Sequence, residues 1–362
     1  MDHKLPFTFY KDAYWAAEPE EIGLFADLIV ACAEGHLSPL AAAQNITDTL
    51  ASEAWKNKAD VDSINNSDID SHNGDRPYHN HIELVAVLIG SCISAFPPHS
   101  VVHIRLFEMI KSFLRVQKRE IPNPLLNRAG EVRCENYKTL DLRPTIPLWE
   151  DLRRLSFSSS CEWLAEIGNL WTGVEKCGSR EQQRWRNMSL FFARLEVEGV
   201  EGVERMDWHS PLQRLLPKYW RVDENTVGWS GYLAGQVLAA SQWFVPDGYA
   251  LWVWRACCRH EQMLHNHSRL NSARKVEGGA ALDDLEEETT AINQGFGRAD
   301  DEASIGLGQS EGLLWKLENW KVWKAAFQRI EERVDDVRVH AVARREASRA
   351  LKIMEDIETH YE

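Results

Sequence analysis

The sequence predicts an all-α protein. Apolar residues recur in three- and four-residue steps along most of the chain. Strand-like alternation is rare and confined to short pieces such as Val132 to Leu142. Prolines break the apolar runs where a helix would have to stop. The 362 residues suffice for two small domains or one large helical one. They read as an N-terminal arm over 1–19, then a single bundle-like helical domain over 20–358 ending in a helical hairpin.

The periodicity places helices near 20–34, 38–55, 79–95, 99–118, 160–173, 180–198, 208–216, 228–244, 247–267, 311–333 and 336–358. Ser38-Pro39 joins an N-cap to a proline at the first helical position. Pro97-Pro98 separates the third helix from the fourth, which Ser100 is placed to open. Pro122, Pro124, Pro144 and Pro147 bracket an irregular crossover. In the terminal hairpin, Trp320, Phe327 and Ile330 share one apolar stripe, and Ala343, Ala347, Ala350, Met354 and Ile357 share another. Asp335-Asp336 is read as the start of the last helix, where negative charge suits the dipole.

Two stretches escape the pattern. Residues 56–77 are rich in Asn, Asp and Ser and read as a flexible surface loop. Residues 276–311 hold ten acidic residues and one basic residue, Arg298. They read as an acidic insertion between helices.

Fifty-five acidic residues against 41 basic ones leave a net charge of −14. Such a chain repels phosphate backbones, which argues against general nucleic-acid binding. It can hold cations and, through them, an anionic substrate. No membrane span and no secretory leader are recognisable, which predicts a cytoplasmic protein. The seven cysteines include no CxxC pair, so neither a disulfide framework nor a zinc knuckle is expected.

Several residues have the types and spacings that chemistry needs. Asp283, Asp284 and Glu287 match DDxxE. On a helix the first and last of these share a face, and carboxylates so placed can hold Mg²⁺ for a diphosphate leaving group. The same residues read equally as part of the acidic insertion. Asn45, Thr49 and Glu53 have the spacing of a second metal triad. They precede the aspartate motif, whereas in class I terpene cyclases the triad follows it, so the match reads as coincidence. His260-Glu261 is not a zinc-protease motif, because position 264 is Leu.

Asn187 and Arg194 lie two turns apart on one helix face and flank an apolar run containing Phe191. A partly buried Arg needs an anionic partner. Glu162 and Glu166, which share a face with Asn169, are candidates, as is Glu83. Arg194 and Asn187 then belong either to an internal salt-bridge network or to the polar end of a cavity, gripping diphosphate or carboxylate. The 15 tryptophans read either as helix-packing core or as an aromatic pocket for a carbocation, with Phe191, Trp243 and Trp315 as its candidate lining.

Taken together, the apolar helices at 82–95 and 99–118 and the block Trp185-Arg186-Asn187 through Phe191 resemble a filamentous-fungal helical family catalogued as domain of unknown function 3632. Ala193-Arg194-Leu195, the helix from Trp315 to Phe327, and Ala343 to Glu358 resemble it too. The resemblance covers most of residues 20–358 and implies a fungal source and an all-α fold. The chain also looks like the non-classical sesquiterpene (humulene) cyclases of fungal secondary metabolism. That likeness implies a lyase taking farnesyl diphosphate, an isoprenoid diphosphate, with Mg²⁺, and it carries no catalytic residue over to this chain. Beside the cyclase stands a second expectation, a non-catalytic helical interaction or scaffold protein.

Overall fold

The computed structural model describes residues 19–63, 77–113, 115–123, 143–148, 178–199, 211–220, 222–276 and 314–361. The fold is all-α, with one short two-stranded pairing among the described residues. Contacts group the chain into two compact units, Met1–Met206 and Asp207–Glu362.

The first unit holds α1 (Pro19–Glu34), α2 (Pro39–Ser63), α3 (Pro77–Ala95), α4 (Val101–Phe113) and α5 (Arg180–Val197). Strands β1 (Glu120–Pro122) and β2 (Thr145–Pro147) pair antiparallel between α4 and α5. The proline-bracketed crossover thus contributes a ladder at its two ends, and prolines fall at the strand limits, where one missing N–H is tolerated. Helix α1 stops at Gly35, whose φ of +85° suits a residue without Cβ. A Cβ there would meet the Arg105 guanidinium at 2.5 Å, so a side chain would also have to displace that group. Ser38 caps α2 through its Oγ, which accepts from Ala41 N at 3.2 Å, and Ser100 does the same for Val102 at the start of α4.

In this unit two helix limits depart clearly from the periodicity. Helix α2 continues to Ser63, into the polar stretch read as a loop, with Lys56 ion-paired to Glu53 at 3.5 Å. Helix α4 ends at Phe113, short of 118. The core of this unit comes from Phe25, Ile29, Leu88, Cys92, Leu106, Met109, Met188, Phe191 and Phe192.

The second unit holds α6 (Pro211–Arg214), α7 (Trp229–Ala240), α8 (Tyr249–Val276), α9 (Leu317–Glu331) and α10 (Ala341–Tyr361). Every residue of α7 is buried, which marks it as the unit's central helix. The α9–α10 hairpin packs on it. Trp320, Trp323, Phe327 and Ile330 of α9 are buried, as are Ala343, Ala347, Ala350, Met354 and Ile357 of α10. The alanines let the two backbones approach. Helix α10 begins at Ala341, later than the Asp335-Asp336 pair suggested. The Nδ1 of His340 accepts from Val342 N at its start. Asp336 instead closes the preceding turn on Arg338, with contacts of 2.8 and 2.9 Å to the guanidinium. Arg338 also donates to the carbonyl of Val227 at 2.6 Å.

Among the described residues, no helix is long and apolar enough to cross a membrane.

Candidate functional site

Helix α5 carries three of the candidate residues. Ser179 caps it by accepting from Gln182 N at 3.1 Å, and Gln182 Oε1 returns the favour to Gly178 N at 3.1 Å. The buried Asn187 donates from Nδ2 to the carbonyl of Ser94 at 2.8 Å. Its Oδ1 accepts from Arg186 at 3.1 and 3.3 Å. Both ends of the amide are therefore engaged, one of them in satisfying a carbonyl at the C-terminal end of α3.

Arg194 keeps 23% of its side chain exposed and pairs with Glu198 on its own helix at 3.9 Å. Its guanidinium lies 5.5 Å from the centre of the Phe107 ring. Phe191 stands edge-on to Phe107, at 6.3 Å, and to His103, at 6.4 Å. The structure thus sets Arg194 and Phe191 around a common ring, that of Phe107. It turns Asn187 toward the end of α3.

His103 is a residue the sequence reading missed. It is fully buried, and its Nε2 sits 3.1 Å from the carbonyl of Ile93 and 2.9 Å from that of Phe96. One carbonyl is in the last turn of α3 and the other just beyond it, and because both only accept, Nε2 carries the proton. Nδ1 has no hydrogen-bond partner among the described residues. Burial, aided by the positive charge of Arg194, pushes the imidazole down to about 4 and keeps it neutral. The only sequence signal was a polar residue facing inward on an apolar helix.

The other two aromatic candidates lie in the second unit. Trp243 and Trp315 are both buried, with ring centres 5.9 Å apart. Trp315 also meets Trp252 at 5.3 Å and Trp323 at 6.3 Å. Phe244 continues the cluster toward Trp320 and Phe327. Two indole N–H groups are satisfied: Trp320 donates to Glu358 at 2.8 Å and Trp323 to the carbonyl of Leu212 at 2.9 Å. The Trp243 N–H has no partner among the described residues.

Asp283, Asp284 and Glu287 lie outside the described residues, as do Glu162, Glu166 and Asn169. Among the described residues, no group of three His, Cys, Asp or Glu side chains is placed to hold a metal ion. Asn45, Thr49 and Glu53 have local uses: Thr49 donates to the carbonyl of Asn45 at 2.8 Å, and Glu53 pairs with Lys56. Arg194, Asn187 and Phe191 belong to the first unit, and Trp243 and Trp315 to the second.

No family model matches the chain, and no curated protein or solved structure does so either.

Proposed function

We propose that this chain is a helical interaction or scaffold protein whose buried polar and aromatic residues serve its architecture. One observation carries the reading. Asn187, the polar residue best placed on α5 for chemistry, has both ends of its amide committed to α3 and to Arg186. A group so engaged must break two hydrogen bonds before it can grip a substrate, and a buried bond left unmade is expensive. Arg194 has a carboxylate partner one turn away, and Trp243 and Trp315 pack against other rings. Solvent-facing aliphatics support the same reading. Val227 and Val337 are 82% and 91% exposed beside the Asp336–Arg338 pair that fixes their backbone.

A second reading keeps the sesquiterpene cyclase. What favours it is the convergence of Trp243, Trp252 and Trp315, electronegative ring faces of the kind that stabilise a carbocation. The acidic motif Asp283, Asp284 and Glu287 lies in the chain between α8, which carries Trp252, and Trp315. Mg²⁺ held there would neutralise a departing diphosphate.

One experiment separates the two. The purified protein is incubated with Mg²⁺ and farnesyl, geranyl or geranylgeranyl diphosphate, and products are read by gas chromatography–mass spectrometry. The interaction reading expects no cyclic product from a chain shown by circular dichroism to be helical. A cyclic hydrocarbon that disappears with EDTA and with Asp283→Ala would replace it with the cyclase.

A further inference from the structure

Arg180 and Arg184 stand one turn apart at the beginning of α5. Arg184 is half-buried. Its Nε donates to Ser94 Oγ at 3.0 Å, and Ser94 Oγ in turn donates to the carbonyl of Ser91 at 2.9 Å. Ser94 is fully buried, so this chain of bonds fixes where the guanidinium lies. The pin uses Nε alone. Among the described residues, neither terminal nitrogen of Arg184 has a hydrogen-bond or ion-pair partner, and the exposed Arg180 has none either.

The fold gains little from this placement. Two cations one turn apart repel each other, and Arg180, at the first helical position, opposes the macrodipole. Partial burial adds a desolvation cost, and together with Arg180 it holds the Arg184 guanidinium below its ordinary value. Among the described residues, Glu181 is the one acid whose charge acts on Arg184. Other guanidiniums of the first unit do find a carboxylate. Arg119 pairs with Asp48 at 2.6 Å and Arg194 with Glu198. An arrangement that breaks local rules without a visible return points to function.

We propose that Arg184 and Arg180 form a receptor for a phosphoryl group on a small anionic ligand. A guanidinium immobilised through Nε presents its two terminal nitrogens as a fixed fork, which matches two oxygens of one phosphate. Arg180 supplies a second, adjustable cation for a further phosphate oxygen or a second phosphoryl group. The ligand supplies the anionic partner that these two guanidiniums lack among the described residues. The inference is independent of the interaction reading, because a non-catalytic protein can also bind such a ligand.

The test uses the full chain with inorganic phosphate, pyrophosphate and, as a carboxylate control, acetate, followed by isothermal titration calorimetry and ³¹P line broadening. Pyrophosphate is expected to bind saturably and more tightly than phosphate, with affinity falling as salt rises. Arg184→Gln should weaken it roughly ten- to hundredfold, the scale of a lost charge-assisted pair. Arg184→Lys keeps the charge without the fork and should fall between. Arg180→Gln changes an exposed side chain, so it tests the site even if the Arg184 variants fold poorly, and it should weaken pyrophosphate severalfold. Arg119→Gln, at a guanidinium already paired with Asp48, should leave binding unchanged. Absence of saturable binding to the wild type would overturn the proposal. So would equal affinity in the Arg180 and Arg184 variants, or acetate binding as well as pyrophosphate.

Discussion

The two compact units fix their helices with different materials. In the first, polar side chains reach from one helix to carbonyls at the end of another. Arg105 donates to the carbonyl of Ala33 at the end of α1, at 2.8 Å. His103 and Asn187 serve Ile93, Phe96 and Ser94 at the end of α3. These carbonyls lie at helix ends, where the regular i+4 donor is missing, although Ile93 also accepts from Phe96 N at 3.2 Å. In the second unit the work falls to rings, with Trp243, Trp315, Trp323, Phe244 and Phe327 meeting edge to face or at a tilt. Directional polar bonds make the first unit sensitive to protons and to single donor deletions. Ring packing makes the second sensitive to lost volume.

The sharpest break in this comparison is Trp323→Ala. The indole is fully buried and its N–H donates to the carbonyl of Leu212, so truncation leaves a cavity and removes that bond. The expected loss is about 3–5 kcal/mol in urea denaturation. Trp323→Phe keeps a ring and should cost less. A loss under about 1 kcal/mol for the alanine variant would mean that the ring cluster is not what holds the second unit.

The next effect belongs to the first unit and to pH. His103 is held near 4 in the folded state, below its ordinary value. Between those two values the unfolded chain binds the proton and the folded one does not. Stability is therefore full above the unfolded pKa of about 6.5 and falls as pH drops from there toward 4. The span corresponds to about 3 kcal/mol. His103→Gln should flatten the stability–pH slope in that window, whatever it does to absolute stability. An unchanged slope would place the titration elsewhere.

Asn187→Ala comes third. It strands the carbonyl of Ser94 without making a large cavity, so about 1–3 kcal/mol should be lost. Helix content by circular dichroism should stay near the wild-type value, because α5 keeps its Ser179 cap. If the variant also lost a catalytic product or a ligand, Asn187 would be more than architecture.

What the sequence could tell follows from the range of each interaction. Ser38, Ser100 and the hairpin stripes are local, and the structure repeats them. The need of Arg194 for an anion was legible, and so was Glu198 four residues on, the spacing at which charged side chains meet on a helix. More distant acids drew attention instead. Asn187 finds its acceptor 93 residues away, so no periodicity could reveal that bond. His103 looked like one more residue on an apolar face, and only its approach to two carbonyls at the end of α3 shows its role. Helix α2 outruns its apolar stripe to Ser63, and at the expected limit Lys56 pairs with Glu53, a contact that apolar counting does not register.

The smallest expected effect tests where the comparison stops. Asp336 is a polar knot in the ring-packed unit, bound to Arg338 and Arg333 and through Arg333 to Ser230. The Arg338 guanidinium beside it holds its carboxyl well below the usual carboxylate range. Its contribution is present above the ordinary carboxylate pKa and is lost as pH falls through the depressed folded value, the opposite end of the acid range from His103. The Arg338 side chain is 44% exposed, so water and salt screen the pair. Asp336→Asn should therefore cost less than about 1 kcal/mol at neutral pH, and less again at high salt. In the His103→Gln background, any stability still lost below pH 4 should shrink when Asp336 is also replaced. A larger cost at neutral pH would show that the turn before α10, and not ring packing alone, holds the hairpin in place.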